Sequence, residues 1–230
     1  MSVIGNTTLR FSEEQAMLLD VARAFCRDKS PMAAVRAQLE TDTGFDRALW
    51  DEMVALGWAG IALPESCGGS GLGIAALVPV VEAMGRAMLG TPLMSSALAG
   101  QLLLRAANSE QRERLLPAIA AGAPATVALL DNGDWGETSV ALVLDDKCVL
   151  HGAKKFVPDA AVATLFLVSV MYRDSVALAV VRADQLGAGA VRPNTLIDQT
   201  KRSANVDFSG VRVDDNNVIS GPGAAVALRD

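Results

Sequence analysis

Residues 49–73, LWDEMVALGWAGIALPESCGGSGLG, combine a helical pattern, a short apolar run and a glycine-rich loop, and they are the most informative stretch for the fold. Its first residues are apolar at helical spacing, which predicts a helix that ends at Gly57. A short apolar run over 60–63 and then Pro64 follow, and the next loop has four glycines in the six residues 68–73. Glycine permits a positive φ and a close approach of two backbone segments. We therefore expect a helix, a buried crossing and a tightly packed loop that leads into another helix.

The spacing of these glycines excludes the common nucleotide-binding and nucleophile motifs. Gly-x-Gly-x-x-Gly fails in every register, and the loop does not follow a predicted strand. Gly-x-Ser-x-Gly centred on Ser70 fails because the next but one residue is Leu72. Glu65, beside this loop, is a candidate catalytic carboxylate, but we favour its interpretation as a solvated or helix-capping acid. The single histidine, His151, is interpreted as a turn residue, so no catalytic triad is expected.

The composition excludes several classes of protein. The net charge is −6 and the basic residues are scattered, so we expect no nucleic-acid partner and no anionic membrane surface. Three cysteines that are far apart predict neither a disulfide framework nor a metal site. The N-terminus does not resemble a signal peptide, and no apolar run reaches the roughly 18 residues of a membrane helix. A soluble, cytoplasmic protein is expected.

Residues 1–122 have the patterning of a helical bundle. We expect five or six helices, several of them almost wholly apolar, which indicates mutual burial. The segment 12–15 predicts a capping box on the first helix. Beyond the glycine loop, Pro79 is expected to kink a helix or to mark a late start. The residues expected to open the other helices include Ser30-Pro31, Thr91-Pro92 and Ser109.

Residues 123–222 are dominated by short β patterns and turns. Two hairpins are expected, one turning at Asp145-Asp146 and the other at Arg173-Asp174. Several strands in a row without intervening helices favour a small antiparallel barrel or sandwich. The fold class expected is therefore α+β, an all-α bundle followed by an antiparallel β-barrel. The expected strands are 125–130, 139–144, 147–150, 163–171, 175–182 and 204–213.

Four segments, taken in order, resemble the acyl-CoA dehydrogenase family. The resemblance depends on all four segments occurring in the family's order, across a helical half followed by a β half. It covers nearly the whole chain. The segments are 11–15 (FSEEQ), 55–66 (ALGWAGIALPES) with the glycines after it, 109–122 (SEQRERLLPAIAAG) and 150–157 (LHGAKKFV).

The resemblance implies an N-terminal α-helical domain at 1–122 and a middle β-barrel domain at 123–222. Residues 223–230 would begin the connection to a C-terminal helical bundle that is absent from the sequence. In the family, FAD oxidises a CoA thioester to the 2,3-enoyl thioester, a step of fatty-acid or side-chain β-oxidation. The family's catalytic glutamate usually comes from that bundle, so no catalytic residue is identified here. The implied partners are the acyl-CoA substrate and a homodimer, a homotetramer or a heteromer with a paralogous subunit.

The resemblance also implies four positions at the flavin edge, Leu130, Phe156, Val157 and Pro158. Phe156 and Val157 match the family pattern. Leu130 carries no hydroxyl group, although its backbone N–H remains a donor. Pro158 stands where the family has Ser or Thr, and proline has neither the hydroxyl nor the backbone N–H.

Three functions follow as hypotheses. The first is an FAD-dependent acyl-CoA dehydrogenase. The second is a flavin-less, non-catalytic subunit that shapes the acyl channel of a flavin-bearing paralogue. The departures at Leu130 and Pro158 support it, because each hydrogen bond lost to the buried polar edge of a flavin costs about 1–3 kcal/mol and weakens flavin binding. The third is a non-enzymatic helical-plus-β interaction module. Bound flavin would separate the first two hypotheses.

Overall fold

The computed structural model describes residues 11–134 and 139–229. Helices dominate the first half of this part, and strands dominate the second. The helices are α1 (Glu13–Lys29), α2 (Met32–Leu39), α3 (Arg47–Ala55), α4 (Leu77–Arg86), α5 (Leu93–Ala106), α6 (Ser109–Ala120) and α7 (Pro222–Arg229). Within the described residues, no helix is both long and apolar enough to cross a membrane.

Two helix starts show how local sequence sets the boundaries. The expected capping box on α1 is confirmed, because the Gln15 N–H donates to Ser12 Oγ at 3.2 Å and the Ser12 N–H donates to Gln15 Oε1 at 3.0 Å. The expected cap of α6 at Ser109 is wrong by one residue. Asn108 Oδ1 accepts from the Gln111 N–H at 2.9 Å, so Asn108 caps the helix and Ser109 is its first residue. Asparagine and serine cap about equally well, and the glutamine three residues beyond Asn108 decides between them.

Pro79 is the third residue of α4. The first-turn N–H groups of a helix have no partner within the helix, so a proline there removes no hydrogen bond. A short 3₁₀ turn at Ile74–Ala76 precedes the helix. Of the two expectations for this proline, the late start is the one confirmed.

The crossing and the glycine loop pack directly against each other. Ile61 and Leu63 are 4% and 2% exposed, as expected for a buried crossing. A Cβ atom on Gly69 would lie 2.2 Å from the Leu63 carbonyl oxygen and 2.6 Å from that of Gly60. No other residue fits this position, because real Cβ atoms do not come within 3.0 Å of another heavy atom.

The strands form two sheets, and this corrects the expectation of an antiparallel barrel. In the larger sheet the order is β3-β2-β5-β6-β9, and β1 also pairs with β5; the smaller sheet has the order β4-β8-β7. Both β1 and β2 run parallel to β5, so the larger sheet is mixed. The described residues do not close into a barrel. The strands are β1 (Ala125–Ala128), β2 (Val143–Leu144), β3 (Leu150–His151), β4 (Ala153–Pro158), β5 (Leu165–Tyr172), β6 (Ser175–Arg182), β7 (Val191–Pro193), β8 (Ser203–Asp207) and β9 (Val218–Ile219).

Both expected hairpins are confirmed. Strands β2 and β3 are antiparallel around a turn that begins at Asp145, and β5 and β6 pair over eight residues around Arg173-Asp174. Arg173 and Asp174 both have a positive φ, 48° and 59° respectively. Several strands are shorter than expected. For example, the strand expected at 204–213 is β8, which ends at Asp207, and the turns that follow include Gly210.

Strand β5 is buried on both faces, and this joins the two halves of the chain. Phe166, Val168 and Val170 face a core between the two sheets, where the rings of Phe166 and Phe208 meet edge to face at 5.8 Å. Leu167 faces the other way and packs with Leu103 and Leu116 of the helices. A separate helical core is built around Trp50, Met53 and Trp58.

Candidate functional site

A cavity of about 550 Å³ lies where the start of α5 faces the end of β4. Its volume is in the range of cofactor and small-molecule sites, and its wall is mainly apolar. The helical side contributes Met94 and Leu98, which are 43% and 54% exposed, on the same face one turn apart. The other apolar wall residues are Phe45, Pro92, Val127, Leu129, Leu130, Phe156, Pro158 and Leu196.

The structure places three of the four predicted flavin-edge residues on this wall. Leu130, Phe156 and Pro158 line the cavity, whereas Val157 is 1% exposed and belongs to the core between the sheets. Strict alternation does not hold along β4, because Lys155 and Phe156 both line the cavity although they are consecutive, and the strand returns Val157 to the core only after this irregularity. Phe156 lies in a register shift of β4 against β8 and has a φ of 50°.

The polar backbone groups beside these residues already have partners. The Lys155 N–H donates to the Leu130 carbonyl at 2.7 Å, and the Phe156 N–H donates to Asn205 Oδ1 at 3.3 Å. The Pro158 carbonyl accepts from Thr126 Oγ1 at 2.6 Å. The apolar side chains and these occupied backbone groups thus present a mainly apolar surface to a ligand in this part of the cavity, where the backbone N–H of Leu130 is the donor that remains.

Basic side chains lie on the same cavity wall. Lys155, Lys201 and Arg202 line it, and the last of these also holds the two halves of the chain together. Arg202 Nη2 lies 3.2 Å or less from the carbonyl oxygens of the last residues of α2 and of the turn after it. The guanidinium group therefore satisfies carbonyl groups that a helix C-terminus leaves without partners.

One carboxyl group, that of Asp159, lies among the apolar wall residues. Its Oδ2 is 2.6 Å from Ser95 Oγ, on the first turn of α5. Burial raises the pKa of the Asp159 carboxyl, against the hydrogen bond with Ser95 and the charge of Lys201, which both lower it. The two members of this pair are 64 positions apart, so no local sequence pattern predicts that they meet. Its only sequence signal is an acid directly after the proline of β4.

A buried lysine supports the segment that carries Leu130. Lys154 is wholly buried, and its Nζ donates to the Leu129 carbonyl at 3.1 Å, Asp131 Oδ2 at 2.7 Å and Ser169 Oγ at 2.9 Å. All three protons of the ammonium group therefore have acceptors. Burial lowers the pKa of Lys154, against the neighbouring carboxylate, which raises it. The members of this network are 15 to 25 positions apart along the chain, and no local sequence pattern predicted it.

The other groups considered from the sequence lie elsewhere. The interpretation of His151 as a turn residue is wrong, because it is the last residue of strand β3, where its exposed Nε2 lies 2.9 Å from Asp145 Oδ2. The glycine loop packs on its own crossing. No group of three or more His, Cys, Asp or Glu that could hold a metal occurs within residues 11–134 and 139–229. The resemblance places Leu130 in the segment 129–137, which corresponds to the family's strand before the flavin, and residues 135–137 of this segment lie outside the described part.

Comparisons with known proteins match this architecture. Residues 12–123 match the family model "Acyl-CoA dehydrogenase, N-terminal domain". Acyl-CoA dehydrogenase IpdE2 of Mycobacterium tuberculosis is 33% identical over 135 residues, which are 56% of this chain and 42% of that protein. Benzylmalonyl-CoA dehydrogenase of Aromatoleum aromaticum is 27% identical over 165 residues, which are 68% of this chain and 43% of that protein. The chain thus spans less than half the length of these two curated relatives.

A solved structure extends the likeness across both halves. The crystal structure of the ChsE4-ChsE5 complex from Mycobacterium tuberculosis superposes with a TM-score of 0.80 at 26% identity. The match covers 95% of this chain and 60% of that chain. The similarity therefore includes the β half, beyond the part that the family model matches.

Proposed function

The chain belongs to the acyl-CoA dehydrogenase family, and we propose that it works as a subunit of an oxidoreductase that introduces a 2,3 double bond into a CoA thioester. The observation that supports this best is the cavity of about 550 Å³ between α5 and β4. Its apolar wall favours the acyl portion of a thioester, because moving apolar surface out of water contributes about 25 cal/mol per Å². The two lysines on the same wall, Lys155 and Lys201, favour the anionic phosphates of coenzyme A.

FAD is the cofactor that the resemblance implies, and the flavin-edge residues do not fit it. The polar edge of a flavin needs hydrogen-bond donors, and the side chains of Leu130, Phe156 and Pro158 have none. The N–H of Phe156 points to Asn205 and Pro158 has no N–H, so the backbone N–H of Leu130 is the donor that these three residues still offer. Each buried polar group left without a partner costs about 1–3 kcal/mol. No step of the reaction is therefore assigned to a flavin held by these residues.

This misfit favours one form of the proposed function. In that form the chain is a flavin-less subunit that shapes the acyl cavity and works beside a flavin-bearing paralogue. The likeness to a protein solved as a complex of two named components, ChsE4 and ChsE5, supports the heteromer. The paralogue would then supply the chemistry, and this chain would bind and orient the thioester and exclude water from it.

The second candidate is FAD-dependent α,β-dehydrogenation by this chain itself, and the cavity volume favours it. About 550 Å³ lies well within the range of 300–1,000 Å³ typical of cofactor and ligand sites. In this form the flavin would depend on contacts other than the side chains of Leu130, Phe156 and Pro158. Either form requires the cavity to accept the acyl portion of a CoA thioester.

Two measurements test the proposal. Isothermal titration of the purified chain with decanoyl-CoA should show saturable binding, and a complete absence of binding would contradict both candidates. Incubation with FAD followed by desalting separates the candidates, because a flavin absorbance band supports the second and a colourless protein supports the first.

A variant that restores the donors makes this test sharper. Leu130→Thr combined with Pro158→Thr should increase FAD binding if the missing donors are the cause of weak binding. The matched control is Leu98→Thr, which introduces the same hydroxyl group on the helical side of the cavity. Equal FAD binding by wild type, double variant and control would contradict the role given to Leu130 and Pro158.

A further inference from the structure

The Asp159–Ser95 pair is the place where an otherwise apolar part of the cavity offers hydrogen bonding. Asp159 follows β4 directly and has a φ of 51°, a conformation that aspartate tolerates better than most residues. Its N–H donates to the Arg202 carbonyl at 3.0 Å, and its own carbonyl accepts from Val162 and Ala163. The backbone of Asp159 is therefore fixed, and the carboxyl group is held on the cavity wall.

The Asp159 carboxyl group can form a further hydrogen bond in addition to the one with Ser95. Ser95 Oγ lies 3.1 Å from the Pro92 carbonyl and 2.6 Å from Asp159 Oδ2, but a hydroxyl group has only one proton to donate. Oδ1 of Asp159 accepts no hydrogen bond from any other residue in the described ranges. One carboxyl oxygen is thus used by Ser95, and the second is free for a ligand.

A neighbouring hydroxyl group supports the same conclusion. Thr91 lines the same cavity and is only 9% exposed, and its Oγ1 has no hydrogen-bond partner among the described residues. Buried polar groups in folded proteins nearly always have partners. The other hydroxyl groups on the wall each have at least one hydrogen-bond partner, since Thr43 Oγ1 donates to the Phe45 carbonyl, Thr200 Oγ1 donates to Asp198 Oδ1 and Ser203 Oγ accepts from Asn194 Nδ2.

We propose that Asp159 is a specificity-determining residue of this cavity and that it hydrogen-bonds a hydroxyl group carried by an otherwise apolar acyl chain. This inference rests on the proposed function. The substrate class would be CoA thioesters of hydroxylated acyl groups. A site that is built to hydrogen-bond a hydroxyl group discriminates against the analogue without it, because the buried polar groups of the site then lose their partner.

The experiment compares decanoyl-CoA with its monohydroxylated isomers by isothermal titration. At least one hydroxylated isomer should bind the wild-type chain about tenfold more tightly than decanoyl-CoA, the factor expected for one buried hydrogen bond. Asp159→Gly removes the carboxyl group and is compatible with the positive φ, so it should abolish that preference. Asp159→Asn keeps a hydrogen-bonding group and should retain the preference.

Ser203→Ala is the matched control, because it removes another hydroxyl group from the cavity wall and should leave the preference unchanged. Binding of decanoyl-CoA and all its hydroxylated isomers with equal affinity would overturn the inference while the proposed function stands. Absence of binding by any thioester would overturn both. The ribityl chain of a flavin also carries hydroxyl groups. Riboflavin binding that depends on Asp159, without any preference among the thioesters, would overturn the assignment to the acyl chain.

Discussion

Lys154 and Asp131 form a hydrogen-bonded ion pair, with 2.7 Å between Nζ and Oδ2, and the lysine side chain is wholly removed from solvent. The same carboxylate accepts from the backbone N–H groups of Ala141 and Leu142, at 3.1 and 3.0 Å. The pair therefore connects β4 to both ends of the segment between β1 and β2. Because the Leu129 carbonyl also binds Lys154, this connection fixes the cavity wall at Leu130.

Lys154→Met should destabilise the protein by about 3–5 kcal/mol, the usual cost of removing one partner of a buried ion pair. The substitution leaves the Asp131 carboxylate without its cation. Lys155→Met is the matched control, because Lys155 is the next residue of the same strand. Its side chain lines the cavity and has no ion pair among the described residues. Chemical denaturation measures both variants. Equal stability of the two would contradict the role of the buried network.

Asp159→Asn should raise the melting temperature at pH 7 and have little effect near pH 4. Burial raises the pKa of Asp159 in the folded state above its unfolded value. The stability contributed by the protonated form is therefore complete below the unfolded pKa and is lost as the pH rises through the folded pKa. Lys201 is the cation that opposes this effect.

Thermal unfolding across that pH range measures the Asp159 effect, with Asp42→Asn at an exposed position as the control. A difference for Asp159→Asn that does not change with pH would contradict the raised pKa.

Arg202→Lys should lower the stability by about 1–3 kcal/mol, although the charge is retained. The guanidinium group reaches the carbonyl oxygens of Gln38, Leu39 and Thr41 together, and a lysine ammonium on a flexible stem does not reproduce this geometry. The exposed Arg192→Lys on β7 is the control and should change stability by less than about 0.5 kcal/mol. A loss no larger than that of the control would show that Arg202 does not hold the two halves together.

Gly69→Ala and Gly85→Ala should have opposite effects. The added methyl group at Gly69 meets backbone carbonyl atoms that cannot move independently, and we expect a loss of about 3 kcal/mol or more. Gly85 lies inside α4 with no atom within 4 Å of an added Cβ, so alanine should stabilise the helix by about 0.5–1 kcal/mol. Denaturant unfolding measures both. A neutral Gly69→Ala would contradict the close packing of the glycine loop.

The sequence by itself determined the features that depend on local spacing. The capping box at Ser12 and the turn at Arg173-Asp174 are set by residues within a few positions of each other, and both were predicted correctly. The cap at Asn108 was missed by one position because Asn and Ser are nearly equivalent there.

Only the tertiary structure decided which distant residues meet. Strand β5 pairs with β1, β2 and β6, and the two parallel pairings replace the antiparallel barrel that consecutive strands suggested. Asp159 meets Ser95 and Arg202 meets α2 across separations of 64 and up to 164 residues. Spacing along the chain carries no signal for such contacts, because they are selected by the burial of whole faces and by the need of buried polar groups for partners.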